Sequence, residues 1–374
     1  MTLAVDKSTW TKVKFGDIVE NTNRTIKNPI EAGLDKFIGL EHLDGGELKI
    51  KRFGATADGV TFTKLVSPGQ TLFGKRRAYQ KKVAFADFDA VCSGDILVFS
   101  AKSEVLLAEY LPFIVSSEGF FKTALSTSAG SLSPRTRWAD LAKFEFLLPP
   151  IEEQAKIANL FWKVENHKRL LQRKLDHLGL VKKSWISALL ESNDEWRHLK
   201  DISDITMGQS PDGNSVNQIS LGIPFFQGNA DFGIDSPSIK FFTTSPKKYA
   251  KKGDILISVR APIGDINTAS VDCSIGRGLA SIRPQSNSDF LYIKNMMLAT
   301  VELLRNKGAG STFAAIRGDD LKLHSIPWPD AETRNEISKI LGQFELSISN
   351  SRQELVAYLG LIRVLSRVFF EGPQ

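Results

Sequence analysis

Cysteine is nearly absent from this chain of 374 residues, which has only Cys92 and Cys273. Two cysteines in dissimilar sequence surroundings build no disulfide framework. Both read as small reduced core residues, and the chain as cytoplasmic. Histidine is also scarce, and His42, His167, His177, His198 and His324 show no metal-ligand spacing. Of these, His167 and His177 read as solvated positions on a helix. No stretch approaches eighteen apolar residues without a charge, so no membrane span is expected. The opening MTLAVDKSTW has no apolar core of the kind a signal peptide needs. A large charge excess is lacking too: 48 basic residues face 42 acidic ones, a net +6. That balance permits a polyanionic partner without demanding one.

Catalytic signatures are missing as well. GQTLFGK at 69–75 begins like a phosphate-binding loop, but Arg76 stands where Ser or Thr should hold magnesium, and no clear helix follows. It reads as a strand and turn. Leu148 and Ile151 flank two prolines where an amino-methyltransferase loop needs a polar acceptor and a stacking aromatic. Glu47-Leu48-Lys49 is half a nuclease motif without its upstream partner and reads as a surface turn. There is no G-x-S-x-G elbow. The chain therefore reads as a binding protein with no covalent chemistry of its own.

What is present is a long internal repeat. At a shift of 180, Ala129-Gly130-Ser131 falls on Ala309-Gly310-Ser311, Arg137 on Arg317, and Asp140-Leu141 on Asp320-Leu321. Pro149, Glu152, Ile157, Glu165 and Leu175 continue the series onto Pro329, Glu332, Ile337, Glu345 and Leu355. Upstream the shift drifts: Gly69 and Leu72 match Gly253 and Leu256 at 184, and Trp10 matches Trp196 at 186. The order is A–B–A′–B′, with units at 1–148, 149–192, 193–326 and 327–374.

The B units read as long helices. LPPIEEQAKIANLF places prolines at a helix start, where a missing N–H costs nothing, and glutamates on the positive end of the dipole. Ile157, Val164, Leu171, Leu178 and Trp185 recur every seven residues, beside a row of Phe161, Lys168, Leu175, Lys182 and Leu189. The second copy carries Leu341, Ile348, Leu355, Ile362 and Phe369 beside Ile337, Phe344, Ser351, Tyr358 and Leu365. A sustained heptad is a coiled-coil seam, and each helix of roughly 40 residues would be about 60 Å long. The seam lysines 168 and 182 are imperfections that could face a third partner.

The A units read as mixed α/β domains, rich in β-branched and aromatic runs between glycine turns, each with one helix, near 106–125 and 289–305. The fold class is thus α+β: two such domains separated by two long helices, with an internal pseudo-two-fold repeat; the helices bury their seams on each other as a coiled coil or lie each on its own domain. Basic and aromatic residues interleave in loops at GKRRAYQKK, SPRTRW and SPKKYAKK. They nominate Lys75, Arg76, Arg77, Tyr79, Lys81, Arg135, Arg137, Lys247, Lys248, Arg260, Arg277 and Arg317 as DNA contacts, since Lys and Arg bind phosphate and Arg can also take guanine bidentately. A structural ion pair is the competing reading for an arginine just before a helix.

The A–B–A′–B′ order, LPPIEEQAKIANLF, PGQTLFGKRRAYQKKVAFADFD and the AGS loop leading into LLPPIEEQ together resemble the specificity (S) subunit of type I restriction-modification systems, over essentially the whole chain. The second copy departs from the helix signature, with Asp330 for Pro150 and Arg334 for Gln154. The resemblance implies that each A unit is a target recognition domain reading one half of an asymmetric bipartite site in double-stranded DNA. It implies that the two long helices pack as an antiparallel coiled coil, a spacer setting the gap. Two methyltransferase subunits would dock on the chain, and restriction subunits would join through them. No cofactor would reside in this chain; S-adenosylmethionine, ATP and magnesium would belong to the partners. A specificity subunit of a fused restriction–methylation enzyme, or a tandem protein scaffold without a DNA role, shares the same architecture.

Overall fold

A buried strand, Thr71–Gly74, organises the first half of the chain. It enters from Gly69, whose φ of +87° is the left-handed turn that glycine adopts without penalty, and the Gly69 N–H is satisfied by the Ala86 carbonyl at 2.9 Å. Gly253 does the same ahead of Ile255–Ser258: its φ is +92° and its N–H meets Ala269 at 2.8 Å. The computed structural model describes residues 5–102, 104–308 and 315–371. The chain divides into two units, Met1–Gln172 with Gln353–Gln374, and Arg173–Arg352.

In the first unit, an antiparallel sheet has the order Val19–Asn21, Ile96–Ala101, Thr71–Gly74, Val83–Phe85. A second sheet orders Gly54–Ala55, Lys36–Ile38, Ala90–Cys92, Lys64–Val66, with a parallel pairing of Lys36–Ile38 to Ala90–Cys92. The second unit repeats this topology. One sheet orders Ser203–Met207, Leu279–Pro284, Ile255–Ser258, Ile266–Thr268. The other adds an edge strand, Val216–Asn217, beyond Phe241–Thr243, and keeps Ile223–Phe226 parallel to Cys273–Ile275. Cys92 and Cys273, in unlike sequence contexts, thus lie on corresponding strands, both free and buried. Burial raises both thiols to about 12, which keeps them inert.

The cores differ where the topology does not. Phe15, Phe73, Phe99 and Phe120 are fully buried in the first unit. Their rings meet edge-on or tilted, Phe15 and Phe120 at 4.9 Å between centroids, except that Phe73 and Phe99 stack at 6.1 Å. By strand register, Ile257 stands where Phe73 does and Ile282 where Phe99 does. Met296, Met297 and Leu304 complete this aliphatic core. Each such side chain contributes about 1.5–3 kcal/mol by burial, so either chemistry fills the layer.

The helix expected over 106–125 is two short ones, Leu111–Val115 and Glu118–Ser126. The break falls at Ser117, whose hydroxyl accepts the Phe120 N–H at 3.3 Å as an N-cap. Its counterpart is a single helix, Phe290–Gly308. The tryptophan match is also corrected. Phe15 and Leu199 occupy corresponding places, their N–H groups bonded to Phe144 and His324 at 2.8 and 2.9 Å, which fixes the shift there at 184. Trp10 is therefore not the counterpart of Trp196. Trp10 is buried with its indole on Glu153 at 3.1 Å, whereas Trp196 is exposed.

Two long helices run Ile151–Glu191 and Ala331–Phe370. Every residue of the four heptad rows is buried or half-buried. In the first unit Phe161 meets Phe369 and Phe370 at 6.0 and 5.5 Å, and His167 stacks on Tyr358 at 4.3 Å with Nε2 3.1 Å from Glu354. His167 is thus partnered, not merely solvated. In the second unit Trp185 lies 6.1 Å from Phe344 and Lys182 reaches Glu345 at 3.3 Å. Lys168 is no flaw in the seam. It is buried and binds Glu165 at 2.8 Å, Glu47 at 3.5 Å and the Gly46 carbonyl at 2.9 Å, tying the helix to its own α/β domain. Glu47 thus anchors the helix from a surface turn, closed by its N–H on the Asp44 carbonyl at 3.2 Å.

The departures in the second helix start have a physical reason. Gln154 accepts the Leu107 N–H at 3.0 Å and donates to the Val105 and Pro149 carbonyls, both at 2.9 Å. Arg334 takes over the corresponding carbonyl, Pro329, at 2.6 Å. Asp330, lacking the proline, caps the helix by accepting the Thr333 N–H at 2.9 Å.

Candidate nucleic-acid interface

The end of the central strand in each unit is crossed by the segment that leads into the long helix. In the first unit Lys75 donates its N–H to Asp95 at 3.0 Å and accepts from Thr136 at 3.1 Å, and Arg77 donates to Pro134 at 2.8 Å. Arg76 and Arg135 face each other across an isolated bridge. In the second unit Val259 donates to Gly278 at 2.9 Å and accepts from Ile316 at 2.8 Å, and Arg260 faces Ala315. Arg76 therefore corresponds to Arg260, and Asp95 to Gly278. The second AGS loop, Ala309-Gly310-Ser311, lies outside the described residues.

Arg137 and Arg317 also correspond. Each precedes a short helix, Trp138–Leu141 and Gly318–Lys322, with extended backbone at the N-cap position. Their carbonyls accept the Leu141 and Leu321 N–H groups, both at 3.2 Å. Among the described residues neither exposed guanidinium enters an ion pair. Among the described residues the ion-pair reading of these two arginines finds no support.

Two sequence-distant runs thus meet: Lys75, Arg76 and Arg77 from one, Arg135 and Arg137 from the other. At their centre is Asp95, which sequence reading did not single out. Arg135 donates Nε to Oδ1 at 2.9 Å and Nη2 to Oδ2 at 3.3 Å. Arg76 Nη1 lies 3.6 Å from Oδ2, and its Nη2 donates to the Ser133 hydroxyl at 3.0 Å. The Arg135 hydrogen bonds, then the charges of Arg135, Lys75 and Arg76, hold the Asp95 carboxyl below its ordinary value, outweighing its partial burial. Only the pairing across the sheet end could reveal it; SGDIL reads in sequence as an ordinary turn into a strand.

The other nominated residues spread more widely. Tyr79 is exposed, while Lys81 engages Glu118 at 3.5 Å and the Phe121 ring at 5.5 Å. In the second unit Arg260, Arg277 and Arg317 are exposed on loops at the end of one sheet. The Arg277 N–H donates to Ser210 at 3.3 Å. Lys248 accepts the Ile275 N–H at 3.0 Å, two residues from Arg277, and Lys247 pairs with Asp212 at 3.2 Å.

Among the described residues no group of three or more His, Cys, Asp or Glu could hold a metal, and no helix is long and apolar enough to cross a membrane.

An α+β unit with a basic loop cluster at its sheet end, followed by a long helix, is built twice in this chain. The chain belongs to the family of the type I restriction modification DNA specificity domain, whose model matches residues 7–179 and 192–357, one match per repeat. It is 33% identical over 231 residues to a putative type I restriction enzyme specificity subunit of Methanocaldococcus jannaschii, covering 55% of this chain and 54% of that protein. A second specificity subunit of that organism is 26% identical over 195 residues, covering 47% and 45%. The chain spans about half the length of the curated relatives it matches. Among solved structures, a chain from work on complex assembly and conformational transition of the type I R-M system aligns over 97% of this chain and 98% of that one, at TM-score 0.59 and 26% identity. The type I system S subunit from M. genitalium aligns over 100% and 99%, at TM-score 0.70 and 13% identity, a likeness of fold.

Proposed function

We propose that this chain is the DNA sequence-specificity subunit of a type I restriction-modification enzyme and acts in the cytoplasm. Each α/β domain, 1–148 and 193–326, reads one half of an asymmetric bipartite site in double-stranded DNA. The observation that carries this reading is the repeated pair of arginines at each sheet end, Arg76 with Arg137 and Arg260 with Arg317, held by the same backbone pairing in both units. Lys75, Arg77, Tyr79, Lys81, Arg135, Lys247, Lys248 and Arg277 extend the two DNA faces. Phosphate contacts fix register, and the loops that differ between the units read different bases.

The helices at 149–192 and 327–374 pack antiparallel as a coiled coil and form the spacer that sets the gap. Aromatic contacts between them in each unit support this. The chain brings no catalytic group. Two methyltransferase subunits, using S-adenosylmethionine, dock on the two repeats, and restriction subunits using ATP and magnesium join through them. Adenine leaves the duplex for the methyltransferase site.

The test is modified-base mapping of host DNA with and without the gene. Loss of methyladenine from one asymmetric, gapped motif is expected. An intact map together with salt-insensitive behaviour toward duplex DNA would favour a protein scaffold, because phosphate contacts make affinity fall steeply with salt.

A further inference from the structure

We infer that Asp95 is a positioning residue that presents Arg135 to a guanine in the half-site read by the first domain, and that the described residues of the second domain hold no such device. The inference rests on the DNA-reading function proposed above.

A guanidinium carries five N–H donors in a fixed planar fork. The Asp95 carboxylate takes one N–H from Nε and one from Nη2, the side-on face. The end-on face, formed by Nη1 and the remaining Nη2 proton, is left open. That is the face whose two parallel donors match guanine O6 and N7 in the major groove. Arg135 is about half-exposed (48%), so the fork can be approached, whereas Asp95 is 21% exposed and held against the sheet end. Its own N–H is anchored on the Ser93 hydroxyl at 3.2 Å, and its carbonyl accepts from Lys75 at 3.0 Å. The arginine is thus ordered before DNA arrives, which removes part of the entropy cost of fixing a long side chain on binding.

The same carboxylate argues for a base over a phosphate. It offsets the charge of Arg135 and Arg76, which weakens the pull on a phosphate and leaves the directional hydrogen bonds to a neutral base edge intact. At the corresponding place in the second unit stands Gly278, preceded by Arg277. Ala315 stands where Arg135 does, and among the described residues no carboxylate pairs with Arg260 or Arg277, so these keep their full attraction for phosphate.

Selection of the full chain on duplexes randomised in both half-sites tests this, with binding read at several salt concentrations. One half-site of the unmodified chain is expected to contain a required guanine. Asp95→Ala, Arg135→Ala and Arg135→Lys should each relax that one position by roughly tenfold, since Lys keeps the charge and loses the fork. The other half-site should not change. Equal loss for all sequences, with a salt slope reduced by about one, would mean a phosphate contact and overturn the inference. So would a relaxed position with no guanine on either strand, or an unchanged preference in variants whose melting matches the parent. No sequence preference in the unmodified chain would overturn the DNA-reading function itself, and this inference with it.

Discussion

The Arg334 guanidinium carbon lies over the Trp328 ring, 4.0 Å from its centroid, while its Nε donates to Asp289 at 2.9 Å. One side chain thus joins the start of the second long helix to the helix Phe290–Gly308 through the carboxylate just before it. The side chains of Arg334 and Asp289 are 12% and 11% exposed, so neither charge is well solvated without the other. Arg334→Ala should destabilise the second unit by about 3 kcal/mol, largely by orphaning Asp289. The double variant with Asp289→Ala should be less destabilised than that sum suggests. Urea unfolding of both variants checks this; a loss below about 0.5 kcal/mol, as for ordinary surface changes, would refute the anchor.

Glu165 and Glu345 are repeat partners that titrate in opposite directions. Burial raises Glu165, and the Lys168 charge does not fully offset it. Burial also acts on Glu345, but Lys294, Lys182 and Asn295 together bring it below the ordinary value. A raised carboxyl contributes stability present below the unfolded value, about 4.3, and lost as pH rises through the folded one. A lowered carboxyl contributes stability present above about 4.3 and lost as pH falls through the folded value. Glu165→Gln should therefore remove part of the decline in stability on raising the pH. Glu345→Gln should cost stability at neutral pH and little in acid. Unfolding free energies across pH 3 to 8 read both signs, and matching slopes in the two variants would contradict the assignment.

Arg137→Ala and Arg317→Ala should each weaken one half-site, by roughly tenfold if a base edge or a strong phosphate contact is lost. Folding stability should change by less than about 0.5 kcal/mol, because among the described residues neither guanidinium has an ion-pair partner to lose. Binding to duplexes with one half-site scrambled assigns each arginine to its half. Equal loss at both halves, with lowered melting, would mean a structural role.

Removing one heptad from 160–185 with a matched heptad from 340–365 shortens each helix by about 10 Å at 1.5 Å per residue. At 3.4 Å per base pair, the gap between half-sites should contract by about three base pairs. Methylation mapping of cells carrying the shortened chain measures the gap. A motif of unchanged spacing would refute the spacer.

Much of the fold was legible because it rests on local and periodic signals. The prolines and glutamates at 149–153 start one helix, and the seven-residue rows bury one stripe of both. Gly69 and Gly253 marked the same turn because only a left-handed residue fits there. The misreadings share a cause. Trp10 and Trp196 are the same residue type near the start of each repeat, yet backbone register, not identity, sets correspondence. Lys168 read as a seam defect because its partners, Glu47 and the Gly46 carbonyl, are more than a hundred residues away.

The candidate site divides the same way. That arginines recur at 137 and 317 is written in the sequence, since duplication preserves spacing, whereas backbone pairing matches Arg76 with Arg260. That Arg76, Arg135 and Asp95 converge is decided by the antiparallel pairing of Thr71–Gly74 with Ile96–Ala101 and by the crossing of 133–136 over the sheet end. Sequence fixes the order of charges along the chain. Which of them meet, and which donors of an arginine stay free, depends on hydrogen-bonded register between distant strands, and only the folded chain supplies it.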